Sequence, residues 1–420
     1  MHVSKSPGNT GPLLVPSNKA KIQRVSANKS LKGSHMTLSP VSRGKKLSAV
    51  ATALLVTLGA AACSKSGAGA VASPSAGGSG SSSATAAAPV LKGDISFNDD
   101  NLTKLDAAIK AALAGKDLSK LDEAMVVNVA VDYWNAGKVG FTKGLSDLGV
   151  KGTFQAPANG RLDQQLSIIQ TLRGQGITGF TVSAIDPTAI KAPIASSNKA
   201  GIPVVAIDSP LPADDGSALY LGSLNEQLGE KAGEAMKQVL NNQGEVVILT
   251  GSLTASNSLE RIEGFKKALE GSNIKITQTL NDGTDASKAL SNASTSFQTD
   301  PNVTGLYGVY SYDGPAAGQA VTSAGKAGKI KVIASDSDPQ TLKFIQSGSV
   351  QATVLQQPYQ QGYTGAYLLA AFKVLGKDAT MALVKPYLES DGTTLSTGAG
   401  VVTQSNISDY QAMLSQLGIG

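Results

Sequence analysis

Short apolar runs alternate with amphipathic helical stretches along most of this chain, and this alternation limits the possible fold more than any other feature. The apolar runs lie at 126–131, 177–183, 202–208, 218–223, 245–251, 274–280, 303–309, 330–336 and 350–356. Alternation of strand and helix is typical of βαβ units and parallel sheets. Because the runs are continuously apolar, the strands are expected to be covered on both faces. The sequence therefore predicts an α/β fold.

Helical stretches fill most of the intervals between these runs. They include 138–148, 162–173, 226–241, 259–270, 314–324 and 360–375. The strands are too numerous for one compact sheet of usual size. We therefore predict two Rossmann-like βαβ lobes with parallel sheets, joined by a three-strand hinge, with a ligand cleft between them. The hinge strands are expected to cross near 223–226, 356–358 and 386–401.

The charge of the chain is divided unevenly between residues 1–62, called the leader here, and the remainder. Residues 1–62 hold nine of the 36 Lys and Arg residues and no Asp or Glu, so 27 basic and 31 acidic residues remain from Cys63 onward. The formal net charge of +5 therefore arises in the leader, and the rest is mildly acidic. Nucleic-acid binding needs a concentrated basic face. We predict no nucleic-acid partner.

Residues 36–62 have the layout of a secretory signal peptide. A basic stretch precedes an apolar run that ends in small residues directly before Cys63, and the run of about 16 residues is short for a membrane span. A cysteine at this place resembles a bacterial lipobox, which implies export, lipidation of Cys63 and anchoring at the outer face of the cell membrane. Ala60 stands where that motif usually has Leu. An ordinary cleavage site with Cys63 as a bystander therefore stays open.

The segments around the signal have different expected roles. Residues 1–35 are predicted to be an upstream extension, disordered or not translated if synthesis starts at Met36. Gly, Ser and Ala dominate the segment after the signal, so 63–92 is predicted to be the lipid anchor and a flexible linker. Residues 93–124 are predicted to be a helical extension, because apolar residues recur there at helical spacing.

Residue types that many enzymes need are missing after the leader. Both histidines, His2 and His35, lie in the leader, and the sole cysteine is Cys63. The remainder therefore cannot build a Ser–His or Cys–His nucleophile or a His/Cys zinc site. We predict that the protein is not an enzyme and needs no cofactor or metal. A carboxylate-based glycosidase using two Asp or Glu residues stays open as an alternative.

Polar and aromatic side chains follow several predicted strands at their carboxyl ends, where open α/β sheets bind ligands. The candidate ligand-binding residues are Tyr133, Trp134, Asp208, Asn257, Arg261, Tyr312, Asp336 and Gln356. A sugar offers apolar C–H faces to aromatic rings and hydroxyl groups to carboxylate, amide and guanidinium groups. Buried polar groups of this kind discriminate strongly, because a wrong ligand leaves them unsatisfied. The set predicts a sugar or a sugar-like polyol as ligand.

All candidate residues except Tyr133 also have a purely structural alternative. Tyr312 can be a solvated residue at the rim, and Gln356 can satisfy backbone groups of the hinge. Trp134 can fill the core, and Asp208 and Asp336 can cap helices that follow strands. Arg261 can brace its lobe through a salt bridge, and Asn257 can cap the helix in which it lies. The sequence leaves these alternatives open.

The segment from Val126 to about Gln360 resembles the ribose/galactose-type periplasmic sugar-binding proteins. The matching phrases occur in the family's order and are YW with GLSDLG (133–149), QTLRGQGITGFTVSAIDPTAI (170–190), AGIPVVAIDS (200–209), ERIEGF (260–265), KVIASDSDP (331–339) and GSVQATVLQQP (348–358). Together they extend over more than half of the chain. The resemblance implies a solute-binding lipoprotein of an ABC transporter with the type I periplasmic binding protein fold.

Carried over residue by residue, the resemblance implies a role for several candidates. Tyr133 and Trp134 match the family's stacking aromatic residues, and Asp208 matches a carboxylate for two sugar hydroxyls. Asp336 matches the second-lobe carboxylate, and Gln356 matches an amide at the hinge.

Two positions depart from the ribose binders. Leu259 stands where those proteins have Arg, and Tyr312 stands where they have Asn. Both departures argue against ribose itself and are compatible with the sugar class.

The resemblance also implies how such a protein works. A monomer captures its ligand by hinge closure and delivers it to an ABC permease in the membrane. The N-terminal lobe is predicted at 125–223 and 357–386, and the C-terminal lobe at 224–356 and 387–420. A sensor subunit that presents its ligand to a signalling receptor stays open as an alternative.

Overall fold

The computed structural model describes residues 91–419. The predicted upstream extension 1–35, the signal 36–62 and Cys63 lie outside the described residues, as does most of the predicted linker. Within residues 91–419, no helix combines the length and apolar character needed to cross a membrane.

Strands and helices alternate along the described chain. The strands are β1 (Asp122–Val126), β2 (Lys151–Gln155), β3 (Gly179–Val182), β4 (Val204–Ile207), β5 (Tyr220–Gly222), β6 (Gln243–Thr250), β7 (Asn273–Asn281), β8 (Val303–Gly308), β9 (Lys331–Ser335), β10 (Ala352–Leu355), β11 (Thr394–Ser396) and β12 (Gly400–Thr403). The helices are α1 (Asp99–Leu113), α2 (Tyr133–Leu148), α3 (Leu162–Gln175), α4 (Lys191–Lys199), α5 (Asn225–Val239), α6 (Ser256–Leu269), α7 (Ala286–Thr299), α8 (Asp313–Ser323), α9 (Pro339–Gln346), α10 (Pro358–Val374), α11 (Lys377–Val384) and α12 (Ile407–Gln416), with a 3-10 turn at Lys385–Tyr387.

The strands form two sheets with equivalent internal order. The first sheet runs β11-β5-β4-β3-β1-β2 and the second runs β12-β10-β9-β8-β6-β7. Neighbouring strands are parallel in both sheets, except that β12 is antiparallel to β10. Each strand of the first sheet therefore has a counterpart at the same place in the second. The prediction of two βαβ lobes with parallel sheets is confirmed.

Helices cover both faces of each sheet. In the first lobe, α1, α2 and α10 pack on one face around Met125 and Phe141, and α3 and α4 pack on the other around Phe180. In the second lobe, α5 and α6 pack on one face around Phe265, and α8, α9 and α12 pack on the other around Phe344. Burial on both faces removes apolar strand surface from water, which explains the continuously apolar runs in the sequence.

The chain crosses between the lobes at three hinge segments. β5 of the first sheet leads through 223–224 to α5 on the second lobe, and β10 of the second sheet leads through 356–357 to α10 on the first lobe. The third crossing, 397–399, joins β11 to β12. The three-strand hinge was predicted, and each crossing lies at or within a predicted position.

Two predicted lobe boundaries were wrong. Residues 387–420 were assigned to the C-terminal lobe, but Thr394–Ser396 pairs in parallel with Tyr220–Gly222 in the first sheet. This edge strand has three residues, too few to produce a detectable apolar run. The first sheet also begins at Asp122, inside the predicted helical extension 93–124. Two carboxylates at the start of β1 conceal this strand in the sequence, although Glu123 is buried.

Candidate functional site

A cavity lies between the lobes at the carboxyl ends of the strands. All eight candidate residues line it, namely Tyr133, Trp134, Asp208, Asn257, Arg261, Tyr312, Asp336 and Gln356. The first three belong to the first lobe, the next four to the second lobe, and Gln356 to the second hinge crossing. Residues that are far apart in the sequence thus meet at one place.

Asp208 and Asp336 occupy equivalent positions in the two lobes. Asp208 directly follows β4 and Asp336 directly follows β9, which are counterparts in the two sheets. Both residues have left-handed backbone conformations, with φ of 60° and 65°. Asp tolerates this region better than most residues. The left-handed turn ends each strand and places one buried carboxylate from each lobe beside the cavity.

Asp208 accepts hydrogen bonds that join the lobes at the cavity. Its Oδ2 accepts from Ser183 Oγ (2.8 Å) within the first lobe and from Asn257 Nδ2 (3.0 Å) of the second lobe. Its backbone oxygen accepts from Asn225 Nδ2 (3.3 Å), also of the second lobe. The described conformation therefore has its lobes in contact at the cavity.

Arg261 lies on α6 and is 2% exposed. Its Nε donates to Asn225 Oδ1 (2.9 Å), and its Nη1 donates to the carbonyl oxygen of Val309 (3.1 Å). Its Nη2 lies 3.5 Å from Asp208 Oδ1. Asn257 is four residues before Arg261 and shares its helix face. One turn of α6 therefore brings an amide and a guanidinium group to the cleft.

Burial and charge oppose each other in this cluster. Burial raises the pKa of Asp336 to about 7, although the charge of Arg261 acts to lower it. Burial likewise raises the pKa of Asp208, and Arg261 again acts in the other direction. Burial disfavours the charged form of Arg261, but the carboxylates of Asp336 and Asp208 keep its pKa above the ordinary value. The cation and the two acids are therefore one electrostatic unit.

Aromatic rings form part of the cavity wall in both lobes. Tyr133 and Trp134, at the start of α2, pack edge to face with ring centroids 4.7 Å apart. Trp134 Nε1 donates to Asn128 Oδ1 (2.9 Å), which fixes the ring. In the second lobe, Tyr310 and Tyr312 also pack edge to face, at 5.9 Å. The cavity thus offers apolar ring surface beside charged and amide groups.

Gln356 connects the hinge to the second-lobe carboxylate. Its Nε2 donates to Asp336 Oδ1 (3.1 Å), while its Oε1 is buried and accepts no hydrogen bond from any described residue. A buried acceptor without a donor is costly. A ligand hydroxyl that donates to this oxygen would remove that cost.

Structural roles account for only part of what the candidate residues do. The helix cap before α9 is Asp338, whose carboxylate accepts from Gln340 N, and no helix directly follows Asp208. Neither Asp208 nor Asp336 is therefore a helix cap. Asn257 and Trp134 each have a structural role in addition to lining the cavity. Asn257 Oδ1 accepts a hydrogen bond from Ser258 N inside α6, and Trp134 packs in the first-lobe core.

Sequence reasoning missed five further residues that line the cavity. They are Asn128, Val129, Val131, Tyr310 and Ser311. The run 126–131 was interpreted as a strand, but β1 ends at Val126, so the residues after it project past the sheet edge. In the same way β8 ends at Gly308 and leaves Tyr310 beyond it. The alternating tyrosines of YSYD at 310–313 were the available signal.

Acidic residues are present near the cavity, but within residues 91–419 no group of three or more His, Cys, Asp or Glu side chains is arranged to hold a metal ion.

The family model described as "Periplasmic binding protein domain" matches residues 124–378. This match extends over more than half of the chain and includes β2 to β10 and most of β1, but neither β11 nor β12. The chain belongs to the periplasmic binding protein family. The resemblance predicted from the ordered motifs is therefore confirmed.

Several relatives of this periplasmic binding protein are named for sugars. The D-allose-binding periplasmic protein of Escherichia coli is 29% identical over 257 residues, which is 58% of this chain and 82% of that protein. The ribose import binding protein of Haemophilus influenzae is 26% identical over 280 residues, which is 65% of this chain and 93% of that protein.

Solved structures share the fold of this periplasmic binding protein. An ABC transporter solute-binding protein of Burkholderia graminis, in complex with D-arabinose, is 30% identical with a TM-score of 0.64, covering 70% of this chain and 99% of its own. A carbohydrate transporter solute-binding protein of Agrobacterium radiobacter, also with D-arabinose, is 25% identical with a TM-score of 0.63, covering 71% and 99%. These proteins and the family are solute-binding proteins and not enzymes, which confirms the prediction of a non-enzymatic role.

Proposed function

We propose that this protein captures a sugar or a sugar-like polyol between its lobes. The observation that carries the proposal is the cavity in which two equivalent aspartates, one from each lobe, lie beside Arg261 and between aromatic rings. The names of the relatives, which refer to allose and ribose, support the same ligand class.

The residues in the cavity have the chemistry that a sugar requires. Carboxylates accept hydrogen bonds from hydroxyl groups, amides both accept and donate them, and bonds to charged groups are the stronger ones. The rings of Tyr133 and Trp134 present apolar surface to the C–H face of a sugar ring. Gln356 Oε1, a buried acceptor, takes a hydroxyl donor. We propose that all eight candidate residues contact the ligand or hold a group that does.

Capture proceeds by closure of the hinge. In the open form the ligand enters and binds groups of one lobe, and closure adds the groups of the other. The closed form is selected because contacts from both lobes are made only there. The bonds from Asn257 and Arg261 to Asp208 are rearranged around the ligand hydroxyls.

A thermal-shift screen tests the ligand class. The panel contains D-allose, D-ribose, D-xylose, D-arabinose, D-galactose, D-glucose and linear polyols. At a hundredfold excess over Kd, one member is expected to stabilise the fold by about 2.7 kcal/mol and to raise Tm by roughly 5 °C or more. Trp134 is the sole tryptophan, so its fluorescence is expected to change with the same sugar.

Asp208→Asn is the specificity control for this screen, because it keeps the side-chain shape and removes a charge in the cavity. The Tm shift is expected to disappear or to shrink strongly in this variant. A silent panel in both measurements contradicts the sugar proposal.

We further propose that the loaded, closed form docks on an ABC permease and that lipid on Cys63 holds the protein at the outer face of the membrane. The support is the family membership together with the signal-like segment before Cys63. In cells, Cys63→Ser is expected to release most of the protein into the medium, as measured by immunoblotting of membrane and medium fractions. Unchanged membrane retention contradicts the anchor.

A further inference from the structure

Residues 91–113, called the extension here, precede the part of the chain that the family model matches. The family match begins at residue 124. The Burkholderia graminis protein aligns over 99% of its own length with 70% of this chain, and residues 122–419 alone make up about that share. The extension is therefore an addition to the two-lobed fold, and its contacts show where it acts.

The first part of the extension lies on the second lobe. Asp94 pairs with Val401 of the edge strand β12, and Asp94 N donates to the carbonyl oxygen of Val401 (2.8 Å). Ile95 and Phe97 pack against the core of the second lobe. Phe97 lies so close to Gly400 that a Cβ on that glycine would contact its ring.

The second part of the extension lies on the first lobe. α1 buries Leu102, Leu105 and Ile109 completely in the first-lobe core, beside α10 and α11. Thr364 Oγ1 of α10 donates to Asp106 Oδ2 (3.0 Å). Both ends of the extension are thus anchored, one on each lobe.

A single residue, Asn98, separates the two anchored parts. It lies beside the third hinge crossing and is hydrogen-bonded to it. Asn98 Nδ2 donates to the carbonyl oxygen of Ser396 (2.7 Å), and Asn98 N donates to that of Thr397 (3.4 Å). The extension therefore passes from the second lobe to the first alongside the β11–β12 connection, with no slack between its anchors.

Asp99 then joins the extension to the second hinge crossing. Its Oδ1 accepts from Gln357 Nε2 (3.1 Å) and from Gln360 Nε2 (3.3 Å) at the start of α10. Gln356 directly precedes Gln357, and its Nε2 donates to Asp336 Oδ1. Gln361 directly follows Gln360, and its Nε2 donates to Tyr133 Oη (3.3 Å). Asp99 therefore binds the segment 356–361, and two side chains of this segment, Gln356 and Gln361, orient Asp336 and Tyr133 in the cavity wall.

We infer that the extension is a fourth crossing of the hinge that limits how far the lobes open, and that Asp99 is a positioning residue for the cavity. Opening needs backbone rotation at every crossing, and a taut connection anchored on both lobes restricts that rotation. The first half of this inference rests on the proposed function only in assuming that the lobes open and close, whereas the role of Asp99 also rests on the proposal that the cavity binds a sugar.

An insertion that slackens the crossing tests the first half of the inference without any ligand. Six residues, Gly-Ser-Gly-Ser-Gly-Ser, are inserted between Phe97 and Asn98 in the full chain, so that both anchored parts stay intact. The matched control places the same insertion between Lys116 and Asp117, in the exposed turn after α1. Both variants are compared with the parent protein.

Opening is measured as the distance between two spin labels across the mouth of the cleft. The mouth is marked by Thr284 Oγ1 of the second lobe, which donates to the carbonyl oxygen of Asn159 of the first (3.4 Å). Ser167→Cys on α3 and Lys288→Cys on α7 are exposed helix positions on the two sides, and they are labelled in a Cys63→Ser background. The insertion after Phe97 is expected to add longer distances, and the control insertion to leave the distribution unchanged.

Identical spin-label distance distributions for all three proteins would contradict the claim that the extension limits opening. Equal broadening of the distribution by both insertions would contradict it as well. Because no sugar is present, this result does not depend on which ligand the protein binds.

Asp99→Ala tests the positioning role, with Asp100→Ala as the matched control that removes the same charge from the exposed neighbouring position. Asp99→Ala is expected to raise the dissociation rate of the sugar selected in the thermal-shift screen roughly tenfold, the size of a lost charged hydrogen bond. Asp100→Ala is expected to leave that rate unchanged. Asp99→Asn keeps a hydrogen-bond acceptor, so its dissociation rate is expected to lie close to that of the parent protein. Equal rates for Asp99→Ala and Asp100→Ala overturn the role.

Discussion

Replacing Arg261 with methionine is expected to weaken binding of the selected sugar roughly a hundredfold, because a hydrogen bond from a charged group to a ligand hydroxyl contributes up to about 3 kcal/mol. Methionine keeps much of the volume of the side chain, so lost packing contributes little. The substitution leaves Asp208 and Asp336 buried without their cation. Isothermal titration calorimetry measures the change in Kd.

The pKa values give the Arg261→Met experiment a second readout. Burial already holds the pKa of Asp336 at about 7, and Arg261 acts to lower it. Without the guanidinium group the pKa of Asp336 is expected to rise further, so this carboxyl is neutral at pH 7. Binding by the variant should therefore depend on pH differently from binding by the parent protein.

Arg161→Met is the control for this substitution. Arg161 forms an exposed ion pair with Asp163, and such surface pairs contribute about 0–1 kcal/mol to stability. The Kd of the Arg161→Met variant for the sugar is expected to equal that of the parent protein. Equal Kd values for Arg261→Met and Arg161→Met contradict the place of Arg261 in the site.

Gly140→Ala is expected to lower the free energy of unfolding by about 3 kcal/mol, the upper end of the usual cost of overpacking. Gly140 lies on α2 where that helix crosses α10, and a Cβ on it would overlap the carbonyl oxygen of Tyr359. Gly362 of α10 meets the carbonyl oxygen of Gly137 in the same way. The helices approach through backbone atoms, which cannot move aside as a side chain can.

Gly174→Ala is the matched control for Gly140→Ala. Gly174 lies inside α3, and a Cβ there would meet no atom within 4 Å. Alanine is a better helix former than glycine by about 1 kcal/mol, so this variant is expected to be as stable as the parent protein or more stable. Thermal unfolding followed by circular dichroism measures both variants. Similar Tm changes for the two substitutions contradict the close approach of α2 and α10.

Gly140 also bears on the binding site, because α2 begins with Tyr133 and Trp134, and α10 follows Gln356. The close packing of these two helices determines the distance between the first-lobe aromatic rings and the hinge. A loss of sugar affinity in Gly140→Ala beyond the loss expected from partial unfolding would show that this packing orients the site.

Much of the fold and most of the site could be predicted from the sequence. Asp208 and Asp336 were predicted because each directly follows a strongly apolar run, and the carboxyl ends of parallel strands meet at one edge of a sheet. Tyr310 was missed because the apolar run before it continues past the last paired residue of β8. The end of a strand depends on its partners in the sheet, and these partners come from distant parts of the chain.

The sequence by itself determined the two βαβ lobes and the side chains at the strand ends, because periodicity and residue type are local properties. Only the tertiary structure decided that β11 belongs to the first sheet and that Asp94 pairs with Val401. It alone placed Asp99 beside Gln357, 258 residues later in the chain. Contacts of this kind depend on how the two lobes and their hinge pack together in space, and no local pattern of residues encodes that packing.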